Sequence, residues 1–176
     1  MMNRTARQIL ITLLAVFTLA TPIAASGQKK DGSLKNQYQN IEVATFDIKE
    51  DAKFPADSLN AMMDEIVKEL QNLNKFKQVL RPGETPTDSA ASTLQLQGTV
   101  TKYQAGSRAK RYLVGFGAGK TKIVAHVKFI DKANGNVLFE KDVDGKVVIG
   151  LFGGDSKTSF RDVGKEVAEV AKKQFF

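Results

Sequence analysis

The stretch GFGAGKT at 115–121 has residue types suited to phosphate chemistry: glycines let a backbone wrap an anion, and a lysine pairs with it. A phosphate-binding loop of that kind needs a glycine five positions before Gly119, where the chain has Val114. It must also open a helix whose amino terminus holds the phosphates. After Thr121 the chain instead continues as KIVAHVKF, which alternates like a strand. A dinucleotide fingerprint fails as well, because the third residue after Gly117 is Lys120. These glycines are expected to serve a tightly bent hairpin, and no cofactor is expected.

Acid–base and metal chemistry fare no better. His126 is the sole histidine, and strand alternation puts it on a polar face with Lys122 and Lys128. A metal needs several converging ligands, and a nucleophile relay needs a hydroxyl and an orienting acid beside the imidazole. Ser107 and Ser156 are present, yet no spacing brings them to His126. Asp47 and Glu50 near a strand end read as surface charge. Asp131, just before Asn134-Gly135, is expected to cap backbone N–H groups of a turn. No catalytic, metal or cofactor-binding residue is therefore expected. The cations Arg108, Lys110, Arg111, Lys120 and Lys122 are a different matter. They interleave with Tyr112, Leu113 and Phe116 at what would be a hairpin tip, a pattern suited to docking on an anionic envelope component.

Several elements could carry these residues. IEVATFDI (41–48) has strand composition with a change of phase at Ala44, as in a strand with a bulge or one covered on both faces. Pro55 opens a helix with Asp57 and Ser58 as capping candidates, and Leu59, Met62, Met63, Ile66, Val67, Leu70 and Leu73 recur at helical spacing. FKQVL (76–80) is a short strand, and 81–92, with two prolines, is a surface loop. TLQLQGTVTKY (93–103) and TKIVAHVKFID (121–131) alternate as strands with one apolar face, NVLFEKDV (136–143) is the strand that returns from an Asn-Gly hairpin turn, and Gly145 suggests a bulge or kink. A final helix carries Phe160, Val163, Val167, Val170 and Ala171 on its apolar stripe, and Phe175-Phe176 is expected to anchor its end. The expectation is an α+β fold: a mainly antiparallel sheet of about five strands in the order β-α-β-β-β-β-α, with two helices on one face.

The amino terminus reads as an export signal. Arg4 and Arg7 precede an apolar run from Ile9 to Ala20, followed by Pro22 and the small residues Ala24, Ala25 and Ser26. The run falls short of the ~20 residues a membrane span requires. Residues 1–25 are thus expected to be removed, 26–40 to form a flexible lead-in, and 41–176 to fold as one domain. The chain has no cysteine, which excludes disulfides and the cysteine on which a lipoprotein anchor is built. Its 26 basic and 19 acidic residues leave it cationic after cleavage. Outside the cytoplasm that charge points to anionic lipids, envelope polymers or acidic proteins rather than nucleic acid.

The run 115–154 resembles a bacterial domain-of-unknown-function family, number 4410. The resemblance rests on Gly115, Gly117, Gly119 and Lys120, then Asp131 and Gly135, then Gly153 and Gly154. The upstream pattern is similar, more loosely, to the amino-terminal domain of TolB and to the envelope proteins LpoB and CsgG. The resemblance implies a cell-envelope location and no reaction. The expected function is that of a non-catalytic, periplasmic or secreted protein without a lipid anchor. It would act by binding an envelope protein, polymer or lipid surface as an assembly factor, adaptor or regulator. The alternatives are an exported enzyme and a subunit of a homo-oligomeric assembly.

Overall fold

The computed structural model describes residues 34–105, 121–146 and 156–176. The export signal, most of the cationic cluster and Gly115, Gly117, Gly119, Gly153 and Gly154 lie outside the described residues. Six strands form one sheet: β1 (Asn40–Val43), β2 (Asp47–Ile48), β3 (Gln78–Leu80), β4 (Thr93–Gln104), β5 (Lys122–Asp131) and β6 (Val137–Lys146). Their spatial order is β3-β1-β4-β5-β6, with β2 continuing beside β4. The α+β layout agrees with expectation, but the sheet is mixed. β4, β5 and β6 are an antiparallel meander, whereas β1 runs parallel to both β3 and β4. The parallel half is built by two crossovers: the chain passes through α1 (Leu59–Asn72) before it reaches β3, and residues 81–92 then carry it across β1 to β4.

Helices α1 (Leu59–Asn72) and α2 (Ser156–Phe175) share one face of the sheet. Alternation along β4 and β5 turns Leu94, Leu96, Val100, Ile123, Ala125, Val127 and Phe129 toward them, all fully buried. The α1 stripe of Met62, Met63, Ile66, Val67 and Leu70 and the α2 stripe of Phe160, Val163, Val167, Val170 and Ala171 close the same core. No side chain caps α1, contrary to the expectation for Asp57 and Ser58. A 3-10 turn over Ala56–Ser58 leads directly into the helix, so the backbone N–H of Ser58 already donates to Pro55 and that of Leu59 to Ala56.

Residues 34–39 are packed rather than flexible. Leu34 and Tyr38 are each 6% exposed, and the Asn36 N–H donates to the Phe175 carbonyl at 2.7 Å. Asn36 takes the left-handed conformation, φ 58°, which reverses the chain and lets both apolar residues reach the core. Two apolar residues in a polar stretch make no periodic pattern, so composition alone concealed them. The Phe175 ring stands edge-on to Tyr38 at 5.9 Å and meets Phe129 at 5.3 Å, while Phe176 stacks edge-on to Phe76 at 5.1 Å. The aromatic pair thus pins the end of α2 to three separate segments.

The β5–β6 turn is tied to this packing. Asp131 accepts from the Ala133 N–H at 2.9 Å, the Asn134 side-chain amide at 3.0 Å and the Tyr38 hydroxyl at 3.2 Å. Gly135 supplies the positive φ of 73° that the turn needs. Burial first, then the Asp131 charge and hydrogen bond, push the Tyr38 hydroxyl up to about 12. In the unfolded chain a tyrosine loses its proton near pH ~10. The stability that Tyr38 carries is therefore intact below that pH and drains as pH rises toward the folded value, because the unfolded state then releases the proton first. Tyr38→Phe is expected to flatten the alkaline fall of the urea midpoint across that window. A fall as steep as in the parent would show that another group drives it.

Candidate functional site

With both helices on one side, the chemistry must be sought on the other face of the sheet. Half of that face is roofed. Gln78, whose register partner is Asn40, donates to the Thr87 hydroxyl at 2.8 Å and accepts from the Thr87 N–H at 2.9 Å. The crossover 81–92 therefore passes over the outer side of β1, where Asn40 and Glu42 are 1% and 8% exposed. Glu42 is satisfied there by the Lys132 ammonium and by the Gln95 amide, which in turn accepts from Gln97. Beyond that edge, among the described residues, the outer sides of β4, β5 and β6 are uncovered and mainly polar, with Val124 between Lys122 and His126.

Besides a slip at Thr101 on β4, two irregularities shape the open half. The first is a break in the parallel ladder. From Val43 to Asp47 the chain advances four residues, while β4 advances three, from Leu96 to Thr99. The extra residue shifts the phase, so Phe46 faces the core together with Ile41 and Val43, and its ring fills the space above Gly98. This is the phase change at Ala44 legible in the sequence, resolved as a bulge-like break. On the outer side the break leaves a concavity of about 410 Å³, lined by Ala44, Thr45, Asp47, Gln97, Gly98, Thr99, His126 and Lys128.

The second irregularity is on β6. Ile130 pairs with Val137 but Phe129 with Phe139, so Leu138 is an extra residue. That one-residue slip turns Glu140 and Asp142 outward, opposite Lys128 and His126. The bulge thus falls at Leu138, not at Gly145. Gly145 instead lies under α2: a Cβ there would sit 2.2 Å from the Ser159 carbonyl oxygen.

His126 is held between these carboxylates. Its Nδ1 lies 2.8 Å from Asp142 Oδ1 and its Nε2 3.4 Å from Glu140 Oε2. Lys128 Nζ stands 3.7 Å from the same Glu140 oxygen. A carboxylate thus faces each ring nitrogen, and the side chains of His126, Asp142, Glu140 and Lys128 form a cross-strand polar cluster on the outer surface. The acids on β6 were missed because they lie on another strand; the Asp142 partner is sixteen positions away. Among the described residues no cluster of three or more His, Asp and Glu side chains could hold a metal. Of the cationic cluster only Lys122 is described. It begins β5, opposite Gln104 and Lys146, at the end of the sheet away from the Asn134-Gly135 turn.

Fold and site together define a two-layer α+β domain with a helical side and an open, charged sheet side. The family model described as "Domain of unknown function (DUF4410)" matches residues 24–157, and the chain belongs to that family. No curated protein matches it in sequence. Two solved structures of PelC from Paraburkholderia phytofirmans, both dodecamers and one a point variant, are similar in fold. Each has 13% identity and a TM-score of 0.53; 83% of this chain aligns with 94% of the variant, and 80% with 91% of the other. The lipoprotein GNA1162 from Neisseria meningitidis aligns over 98% of its chain and 76% of this one, with 14% identity and a TM-score of 0.45. No described helix is long and apolar enough to cross a membrane.

Proposed function

We propose that this is an exported, non-catalytic protein of the cell envelope that works by docking, with the outer sheet face as its contact surface. The carrying observation is the one-sided packing: among the described residues, α1 and α2 cover one face and nothing covers the outer sides of β4, β5 and β6 beside the 81–92 crossover. The engagement of both His126 nitrogens by carboxylates supports a binding role over catalysis. Arg4, Arg7 and the apolar run after them support export, and the lack of cysteine supports an unlipidated protein. The cations of the 106–120 segment would add attraction to an anionic envelope component.

The same lack of native cysteine allows a clean test. Gln97→Cys and Glu140→Cys place single thiols on the open face; Lys68→Cys and Lys172→Cys place them on the helical side. In isolated envelopes, a thiol-directed crosslinker is expected to join the first pair to a partner and leave the second pair free. Equal crosslinking from both sides, or none from the sheet side, would overturn the assignment. A second reading, a homo-oligomeric envelope subunit, is favoured by the fold similarity to the PelC dodecamers. It predicts adducts of the chain with itself and a multiple of the monomer mass in solution.

A further inference from the structure

We propose that the concavity over Gly98 binds the free ends of a short zwitterionic peptide, its ammonium on Asp47 and its carboxylate on Lys128. This rests on the open-face reading and narrows it to the group that is grasped. The lining has two opposite poles. Asp47, on β2, is exposed and has no ion-pair or hydrogen-bond partner among the described residues. Among the described residues Lys128, on β5, has only Glu140 as an ion-pair partner, at 3.7 Å and beyond hydrogen-bonding distance, so its ammonium donors remain available there. His126 is held back by Asp142 and Glu140 and walls the site without competing for the ligand's charges.

Geometry sets the ligand's length. Asp47 is opposite Thr99, and Thr99 is opposite His126; Lys128 is opposite Gln97, two positions further along β4. Two strand spacings of ~4.8 Å and a rise of ~6.7 Å put the two charged positions ~12 Å apart at the backbone. Side chains leaning into the concavity shorten that to roughly the end-to-end span of two to three extended residues. Between the poles, the Thr45 and Thr99 hydroxyls and the Gln97 amide offer both donors and acceptors to peptide groups. The ladder break adds backbone: Thr45 lies in neither strand, and no described residue hydrogen-bonds to it. A cavity of about 410 Å³ is of the size that takes such a ligand. A simple anion would face Asp47 and a simple cation Lys128, so the pair selects a molecule carrying both charges.

The test is an NMR titration of the isotope-labelled protein with trialanine, its N-acetyl form, its C-terminal amide and the doubly blocked peptide. Trialanine is expected to give saturable shifts at the Gly98 and Thr99 amides. Blocking either end is expected to weaken binding roughly threefold to fivefold, the scale of one exposed charge pair. Asp47→Asn should erase the penalty for acetylation and Lys128→Gln the penalty for amidation; both sites are solvent-accessible, so both variants should fold. The proposal is overturned by an absence of saturable shifts at millimolar peptide, by equal binding of the doubly blocked peptide, or by penalties that survive the matching variant. Sheet-face crosslinks without peptide binding would remove this inference and leave the docking reading standing; peptide binding without crosslinks would do the reverse.

Discussion

Gly98→Ala is expected to destabilise the protein by about 1–3 kcal/mol, the cost of forcing an extra methyl into a filled core. The measurement is the shift of the urea midpoint at constant slope. A Cβ on Gly98 would lie 2.2, 2.4 and 2.5 Å from three atoms of the Phe46 ring. Real Cβ atoms do not approach ring carbons so closely, and Phe46 is 2% exposed with the core around it. The ring is there because the ladder break redirects it inward, so the same glycine that receives Phe46 also floors the concavity on the other side. A double-mutant cycle separates this cause from a generic effect of glycine in a strand. Phe46→Ala alone should cost about 3–5 kcal/mol for the cavity it leaves. In the Gly98→Ala background it should cost less, because the methyl then occupies vacated space. Strictly additive costs would show that ring and methyl never compete.

The features legible in the sequence are those a single segment can encode. The α1 stripe from Met62 to Leu70 repeats on one helical face and is buried as a block. The Asn134-Gly135 turn carries its own chemistry, and β5 shows its inner face by alternation alone. The phase change at Ala44 was visible too, but not its meaning, because Gly98, the residue that makes room for Phe46, is on another strand. The same holds for the outer face. Counting outward from the turn without a bulge would set Lys141 opposite His126 and Phe139 opposite Lys128. The extra residue at Leu138 replaces both with carboxylates. A bulge of that kind leaves no mark in composition, since VLFEKD runs three apolar residues into three charged ones and favours neither register. The parallel pairing of β1 with both β3 and β4 was hidden for a related reason. It depends on two crossovers, one through α1 from the first strands to β3 and one through 81–92 from β3 to β4, and the contacts of the second, such as the Gln78–Thr87 hydrogen bonds, join residues nine positions apart.

A larger loss is expected where a new methyl would meet backbone. Gly145→Ala should cost about 3 kcal/mol, toward the upper end for overpacking. A Cβ at Gly145 would stand 2.2 Å from the Ser159 carbonyl oxygen and 2.7 Å from Val163 Cγ2. The valine can rotate; the carbonyl cannot, because it belongs to α2. Relief therefore requires lifting α2 away from β6, and α2 carries Phe160, Val163, Val167 and Phe175 into the core. Gly164→Ala is the informative control. Its Cβ would meet the Glu65 carbonyl oxygen of α1 at 2.8 Å, a milder overlap between helices. In a helix interior alanine also gains about 1 kcal/mol over glycine, which offsets part of the strain. The expected order of stability is parent, then Gly164→Ala, then Gly145→Ala. Hydrogen exchange gives the second readout: Gly145→Ala should speed exchange at the Val163 and Val167 amides while leaving the β4–β5 ladder protected. If Gly145→Ala is as stable as the parent, α2 is not seated on β6 at this glycine. The one-sided packing that leaves the opposite face free for docking would then lose its anchor.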